Sequence, residues 1–130
     1  MATLQLDIVT PSASVFSGPV SEVVLPAWEG QMGVFPQHDA LLALLRAGVC
    51  TVNSPEGTHT FVVGRGFADI GPANVTLLTD SCEKAEDVDK AAASSERAEA
   101  EKALATAAFG TEAHNQAQIA MELAQARLDA

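Results

Sequence analysis

The stretch Glu29-Gly30-Gln31-Met32-Gly33-Val34-Phe35-Pro36-Gln37-His38 is the most informative part of this chain. Two glycines, a proline and a histidine interrupt a mainly apolar run in a fixed order. Because glycine and proline mark turns, the stretch predicts a short strand near residues 32–35 followed by a loop that carries His38. Contacts with partners are often made by loops on a rigid scaffold, so this loop is a candidate interaction site.

On both sides of this stretch, as far as Asp80, short apolar or alternating runs are separated by turn residues. That pattern is typical of an antiparallel β-sandwich or barrel. The predicted strands lie near residues 3–9, 20–26, 32–35, 41–45, 48–53, 58–64, 66–70 and 74–79.

Two of these strands carry further information. The first alternates apolar and polar residues, which predicts one face toward solvent. In the last, Leu78 breaks the alternation and predicts burial on both faces. Ser54-Pro55-Glu56-Gly57 predicts a hairpin turn between strands 48–53 and 58–64, since proline presets its backbone angle and glycine accepts a positive φ.

The composition changes sharply after the predicted strands. All six prolines and eight of the nine glycines lie at or before Pro72, whereas residues 85–130 contain 16 alanines, one glycine and no proline. We therefore predict an all-β sandwich or barrel over residues 1–84, followed by a C-terminal antiparallel two-helix hairpin over 85–130. The helices should span about 87–108 and 112–129, with Gly110 ending the first.

The predicted second helix has a thin apolar stripe. Ile119 and Leu123 lie four residues apart, and the alanines beside them are 113, 117, 120 and 124. Alanine buries little area, so the hairpin should be held more weakly than the sandwich core, and an arm that detaches is a hypothesis that follows.

Charge and composition exclude several classes of function. The chain has 130 residues and a net charge of −10, with only seven lysines and arginines, which argues against a nucleic-acid partner. It shows neither a long apolar run nor a basic leader, so we expect no membrane insertion and no secretion signal. Cys50 and Cys82 stand at no metal-ligand or redox spacing and fit a reduced compartment.

The ordered motifs of this chain resemble those of the epsilon subunit family of bacterial F-type ATP synthases. The stretch from Glu29 to His38 is similar to that family's signature near the start of its sandwich domain. Further similarity lies in Val9-Thr10-Pro11, Val15-Phe16-Ser17-Gly18, Gly64-Arg65-Gly66-Phe67 and Ala85-Glu86-Asp87-Val88-Asp89. Each motif alone is weak, but their order and spacing together are specific.

The resemblance implies a non-catalytic rotor subunit of the central stalk, which couples rotation of the c-subunit ring to the gamma subunit and the catalytic head. It implies that Gln31, Met32 and His38 contact the c ring. Many members have glutamate where Gln31 stands, so a charge pair there is not expected. Two other interpretations remain open: His38 shapes its own loop through a local hydrogen bond, and Met32 fills the core.

The resemblance also implies a regulatory role for the helical arm, through contact with the alpha and beta subunits of the head or through bound ATP. The ATP motif would be Val88, Asp89, Ala92 and Ala93, but it is incomplete because Ala92 replaces an arginine that would bind phosphate. Residues 111–130 carry a single basic residue, Arg127, so inhibition through an acidic segment of the beta subunits should be weak.

No enzyme active site is predicted, and neither is a metal or a cofactor. The chain lacks a phosphate-binding Gly-Lys-Ser or Gly-Lys-Thr loop, and Gly64-Arg65-Gly66 predicts a strand bend rather than a nucleotide loop. Asp87 and Asp89 stand two residues apart at a helix start and do not face each other. The three histidines lack partners at zinc-ligand spacing.

The expected location is the cytoplasmic face of the plasma (inner) membrane, as a peripheral part of the ATP synthase complex. The alternative function is a stand-alone β-sandwich module that binds an unrelated protein and carries an acidic helical arm. Composition does not separate the two; only the ordered motifs favour the rotor subunit.

Overall fold

The computed structural model describes residues 2–130, which form ten β-strands followed by two α-helices. The strands are β1 (Leu4–Val9), β2 (Ser14–Val20), β3 (Glu22–Ala27), β4 (Gly30–Val34), β5 (Leu41–Leu45), β6 (Gly48–Ser54), β7 (Gly57–Val63), β8 (Gly66–Ile70), β9 (Asn74–Thr79) and β10 (Cys82–Lys84). A 3-10 helix (Ala85–Asp87) leads to α1 (Lys90–Thr106) and α2 (Glu112–Asp129). The predicted sandwich followed by two helices is confirmed.

The strands are ordered β10-β7-β6-β3-β5-β8-β9-β1-β2. β4 lies outside this order and pairs with β3. β1 and β9 are parallel, and the remaining pairs are antiparallel. Apolar side chains from alternate positions of the strands face inward and form the core of the sandwich, as the period of a strand requires. The largest fully buried ones are Leu4, Leu6, Ile8, Leu25, Leu45, Ile70 and Leu77.

The predicted hairpin is present. β6 and β7 pair from Gly48 opposite Val63 to Ser54 opposite Gly57. Gly57 has a φ of 134°, a backbone conformation that favours glycine, and the Ser54 hydroxyl donates to the Gly57 carbonyl at 3.0 Å. The turn residues of the sequence therefore act as expected.

Two strands were not predicted. β2 contains Gly18 and Pro19, which read as turn residues, but it lies at the end of the strand order and pairs only with β1. Proline is tolerated there because an edge strand has one side without hydrogen-bonded neighbours. β10 has only three residues and pairs with β7.

The first helix is shorter than predicted, because it starts at Lys90 and ends at Thr106. Asp89 is its N-cap, and its carboxylate accepts a hydrogen bond from the Ala92 amide at 3.0 Å. Gly110 was expected to end this helix; it lies instead in the connection, three residues beyond the extended C-cap Ala107, with a φ of 86°. The second helix has the predicted bounds.

The helices lie antiparallel, and α2 packs on β6 and β7. The predicted stripe is only partly correct: Ala117 and Ala124 are buried, whereas Ala113 and Ala120 are exposed. Ala126, which was not predicted, is buried too, because α2 faces the sandwich as well as α1. The division into domains at residues 84 and 85 stays a prediction, although β10 ends at Lys84.

Candidate functional site

The outer face of the β5-β8-β9-β1 layer carries a row of apolar side chains, which we call the apolar ridge. The strand register places Leu44 opposite Phe67, Phe67 opposite Leu78, and Leu78 opposite Val9. Trp28 extends the row past β5, since its amide donates to the Leu44 carbonyl at 3.0 Å. The ridge thus consists of Trp28, Leu44, Phe67, Leu78 and Val9.

Most of the ridge is open to solvent. Leu44 is 64% exposed, Trp28 43%, Phe67 40% and Leu78 38%. Leu42 lies two residues before Leu44, on the same face of β5, and is 66% exposed. The burial of Leu78 on both faces of its strand, as predicted from sequence, is therefore wrong. A contiguous exposed apolar surface of this kind usually marks a protein interface.

The ridge does not belong to the core of the sandwich. Its residues alternate with buried neighbours such as Leu45, Ala68 and Leu77, which point to the inner side. On the outer side, the neighbouring row contains Leu42, Asp69 and Thr76 in register. The outer face is thus an apolar stripe with a polar border, which is the anatomy of a binding surface.

Cations surround the Trp28 end of the ridge. The guanidinium carbons of Arg46 and Arg65 lie 5.2 and 5.4 Å from the centroid of the indole ring, within cation–π range. Arg65 also donates two hydrogen bonds to the Glu122 carboxylate of α2, at 2.9 and 3.0 Å. One arginine therefore touches both the ridge and the helical arm.

A second contact fixes the far end of the arm. Arg127, near the end of α2, donates to Glu83 on β10 and to Glu96 on α1, the latter at 2.8 and 3.1 Å. The hydrogen bond to Glu83 is the main cause that raises the pKa of Arg127 above its usual range. Lys90, at the start of α1, donates to the last carbonyls of α2, those of residues 127, 128 and 130.

The three residues predicted to contact the c ring do not share one loop. Gln31 and Met32 lie on strand β4, which spans Gly30–Val34 where a strand near 32–35 was predicted. As neighbours on a strand they face opposite sides: Gln31 is exposed, and Met32 is half-buried against the core. His38 follows in the turn, where its Nδ1 lies 2.7 Å from the Asp39 carbonyl.

This end of the molecule also exposes Phe35, which is 56% accessible and was not singled out from sequence. Gln37, between Phe35 and His38, has a φ of 69°, and its amide donates to the Pro72 carbonyl at 2.7 Å. The turn is therefore tied to the loop between β8 and β9, which fixes the position of His38.

The incomplete ATP motif lies at the start of the arm. Asp89 caps α1, Ala93 is fully buried, and Val88 and Ala92 are half-buried. The Asp89 carboxylate is thus used by the helix itself.

Other parts of the described chain carry little chemistry. Within residues 2–130 no group of three or more potential metal ligands is found, and no helix is long and apolar enough to cross a membrane. Gly66 opens β8 at a close approach, since a Cβ there would meet the Leu78 carbonyl oxygen at 2.0 Å. Arg65, between Gly64 and Gly66, was missed as a functional residue because its partner Glu122 is 57 positions away.

Comparison with known proteins gives consistent results. Residues 3–85 match the family described as ATP synthase, Delta/Epsilon chain, beta-sandwich domain. The chain is 39% identical to the ATP synthase epsilon chain of Alkalilimnicola ehrlichii, over 96% of this chain and 91% of that protein. It is 41% identical to that of Dehalococcoides mccartyi, over 81% and 75%.

Two solved structures are similar in fold. A chain of the Euglena gracilis mitochondrial ATP synthase, in an OSCP/F1/c-ring structure, has a TM-score of 0.84 at 22% identity and covers 96% of this chain and 79% of its own length. A chain of the central stalk and c ring of the Tetrahymena thermophila mitochondrial enzyme has a TM-score of 0.65 at 14% identity, with 98% and 97% coverage.

Proposed function

Because this chain belongs to the ATP synthase epsilon chain family, an accessory and non-catalytic subunit, we propose that it works as a rotor subunit of the central stalk. In this role it couples rotation of the c ring to the gamma subunit. The observation that carries the proposal is the apolar ridge, a surface that a free-standing sandwich does not need.

We assign the ridge to the gamma subunit. The ridge residues lie in one row across four adjacent strands and the end of β3, so they form a continuous contact for an apolar surface of a partner. Trp28 and Phe67 supply large rigid side chains, the type that dominates binding energy at interfaces. An acidic protein with net charge −10 would bind gamma through this apolar stripe rather than through general electrostatic attraction.

The c-ring contact is proposed for the end of the sandwich that carries β4 and the following turn. Gln31 is exposed on the strand and His38 is presented by the turn, while Met32 contributes mainly to the core from its half-buried position. Phe35, exposed beside them, adds an apolar side chain to the same region. A rigid strand with a fixed turn suits transmission of torque, since a flexible loop would absorb it.

The arm is proposed to regulate only weakly. The one basic residue of its second helix, Arg127, already binds Glu83 and Glu96, so it is not free for an acidic segment of the beta subunits. The Asp89 carboxylate caps α1, and Ala92 offers no donor for phosphate, so ATP sensing is expected to be weak or absent. Calorimetry that gives a micromolar dissociation constant for ATP would contradict this.

The proposed location follows from the partners. A subunit bound to gamma and the c ring lies at the cytoplasmic face of the plasma membrane as a peripheral protein. Its acidic surface disfavours direct contact with anionic lipid, so membrane association would be indirect.

Co-expression with the gamma subunit of the same organism, followed by size-exclusion chromatography at physiological salt, tests the proposal. We expect one complex with a one-to-one ratio of the two chains. Separate elution would refute the rotor function and leave the alternative, a stand-alone module that binds an unrelated protein.

A further inference from the structure

We propose that Arg65 couples the apolar ridge to the helical arm, so that occupation of the ridge holds the arm against the sandwich. The effect of an occupied ridge rests on the function proposed above, in which the gamma subunit covers the ridge. The coupling itself is a property of the isolated chain, since all three groups belong to it.

The geometry gives Arg65 two partners at once. Its planar guanidinium forks onto both oxygens of Glu122 at 2.9 and 3.0 Å, and its carbon lies 5.4 Å from the Trp28 ring centroid. A fork of this kind has one favoured plane, so the orientation that serves the carboxylate also fixes how the guanidinium meets the ring. Loss of either partner should therefore weaken the contact with the other.

Burial sets the direction of the effect. The side chains of Arg65 and Glu122 are 25% and 17% exposed, so the pair is already partly shielded from water. A partner that covers Trp28 would shield Arg65 further. Once Arg65 is shielded, separating it from Glu122 costs more free energy, because an unpaired charge away from water is strongly disfavoured. Occupation of the ridge should thus disfavour detachment of α2.

Reciprocity follows from thermodynamic linkage. If the partner holds the arm closed by a given factor, then the closed arm raises the affinity for the partner by the same factor. Arg46 also lies over the ring, 5.2 Å from its centroid, and helps to keep the indole in place. The arm thus contributes to the proposed gamma-binding surface indirectly, through Arg65.

The isolated chain provides the first test, through amide exchange of peptides that cover α2. Glu122→Gln should speed this exchange by at least about fivefold, whereas the matched control Glu112→Gln, an exposed residue of the same helix that binds only Gln116 in its own turn, should have little effect. In a Trp28→Leu background, Glu122→Gln should change the exchange by less than about twofold. If the effects of Trp28→Leu and Glu122→Gln on the exchange rate of α2 simply multiply, as they do for independent sites, the proposed coupling is refuted.

Two readouts separate coupling from a general loss of structure. Exchange in β1 and β9 should stay unchanged in every variant; these strands serve as the reference because α2 packs on β6 and β7. Trp28 is the only tryptophan of a chain without tyrosine, so its emission reports changes in the position of the cations beside its ring, Arg65 and Arg46. The emission should shift in Glu122→Gln and in Arg65→Lys but not in Glu112→Gln; an unchanged spectrum in both of the first two would contradict the inference.

The gamma subunit provides the second test. In excess, it should slow exchange of α2 in the wild-type chain by at least about fivefold and leave that of Glu122→Gln nearly unchanged. Gamma that binds without slowing the exchange would overturn the proposed effect of ridge occupation. If gamma does not bind, the proposed function is refuted. The exchange measurements on the isolated variants Glu122→Gln, Trp28→Leu and their combination would still decide whether Arg65 couples ridge and arm.

Discussion

Replacing Leu44 of the ridge together with Leu42, the leucine that borders the ridge on the same outer face, by serine should weaken binding to the gamma subunit. Full burial of a leucine side chain contributes about 1.5–3 kcal/mol. These two are about two-thirds exposed in the free chain, at 66% and 64%, and would lose that area to the partner. The expected loss is about 1–2 kcal/mol for each, or about 2–4 kcal/mol together, which is roughly a 30- to 700-fold higher dissociation constant.

Titration calorimetry of the purified chains measures this directly. The fold itself should change by no more than about 1 kcal/mol, because both side chains point away from the core. Phe109→Ser is the matched control, since Phe109 is 92% exposed at the tip of the arm and outside the ridge. If the double variant binds gamma within about twofold of wild type, or if Phe109→Ser weakens binding equally, the assignment of the ridge to gamma is wrong.

Three further substitutions test other parts of the structure. Arg127→Gln should lower the free energy of arm opening by about 1 kcal/mol, seen as faster amide exchange in both helices; unchanged exchange would mean that alanine packing alone holds the arm. Gly66→Ala should cost about 2 kcal/mol or more in urea unfolding, because the new Cβ would lie 2.0 Å from a backbone oxygen; Gly71→Ala, whose nearest atom is 3.5 Å away, should be nearly neutral. Burial raises the pKa of Cys50 to about 12 and of the half-buried Cys82 to about 11, so a thiol reagent near neutral pH should label both much more slowly in the folded chain than in the unfolded chain. Since the folded state favours the protonated thiol, stability should fall as the pH rises above the ordinary value of 9.0, and Cys50→Ala should reduce that slope; fast labelling of the folded chain would contradict the burial argument.

Sequence patterns predicted most of the sandwich because its strands are bounded by strong turn signals. The eight predicted strands match observed ones to within two residues at either end, and the Ser54 to Gly57 turn has the expected glycine conformation. β2 was missed because Gly18 and Pro19 usually end strands, and only its position at the edge of the sheet allows them. The start of α1 was misplaced because Asp89 acts as the cap rather than as a residue of the first turn.

The candidate surface was much harder to predict. Leu42, Leu44 and Leu78 are apolar at positions that alternate with buried residues, and a sequence does not say whether such a second apolar face is covered by the chain itself or left for a partner. The structure answers this, because no element of the described chain covers the ridge. The link between Arg65 and Glu122 depends on how the arm folds back, and 57 intervening residues leave no local signal for it.

The distribution of positive charge explains why the arm should stay closed in this chain. Of its four arginines, Arg65 and Arg127 tie α2 to the rest of the protein, and Lys90 holds the end of α2 from the start of α1. Release of the arm from the sandwich would separate Glu122 from Arg65 and Glu83 from Arg127 in a chain of net charge −10, and an acidic segment on a partner could not replace the lost cations. High salt should loosen the arm by screening these pairs. At physiological salt the closed arm keeps Arg65 beside Trp28 in the proposed gamma-binding surface. Arg127, the basic residue of α2 that could bind an acidic segment of the beta subunits, instead helps to hold the arm closed.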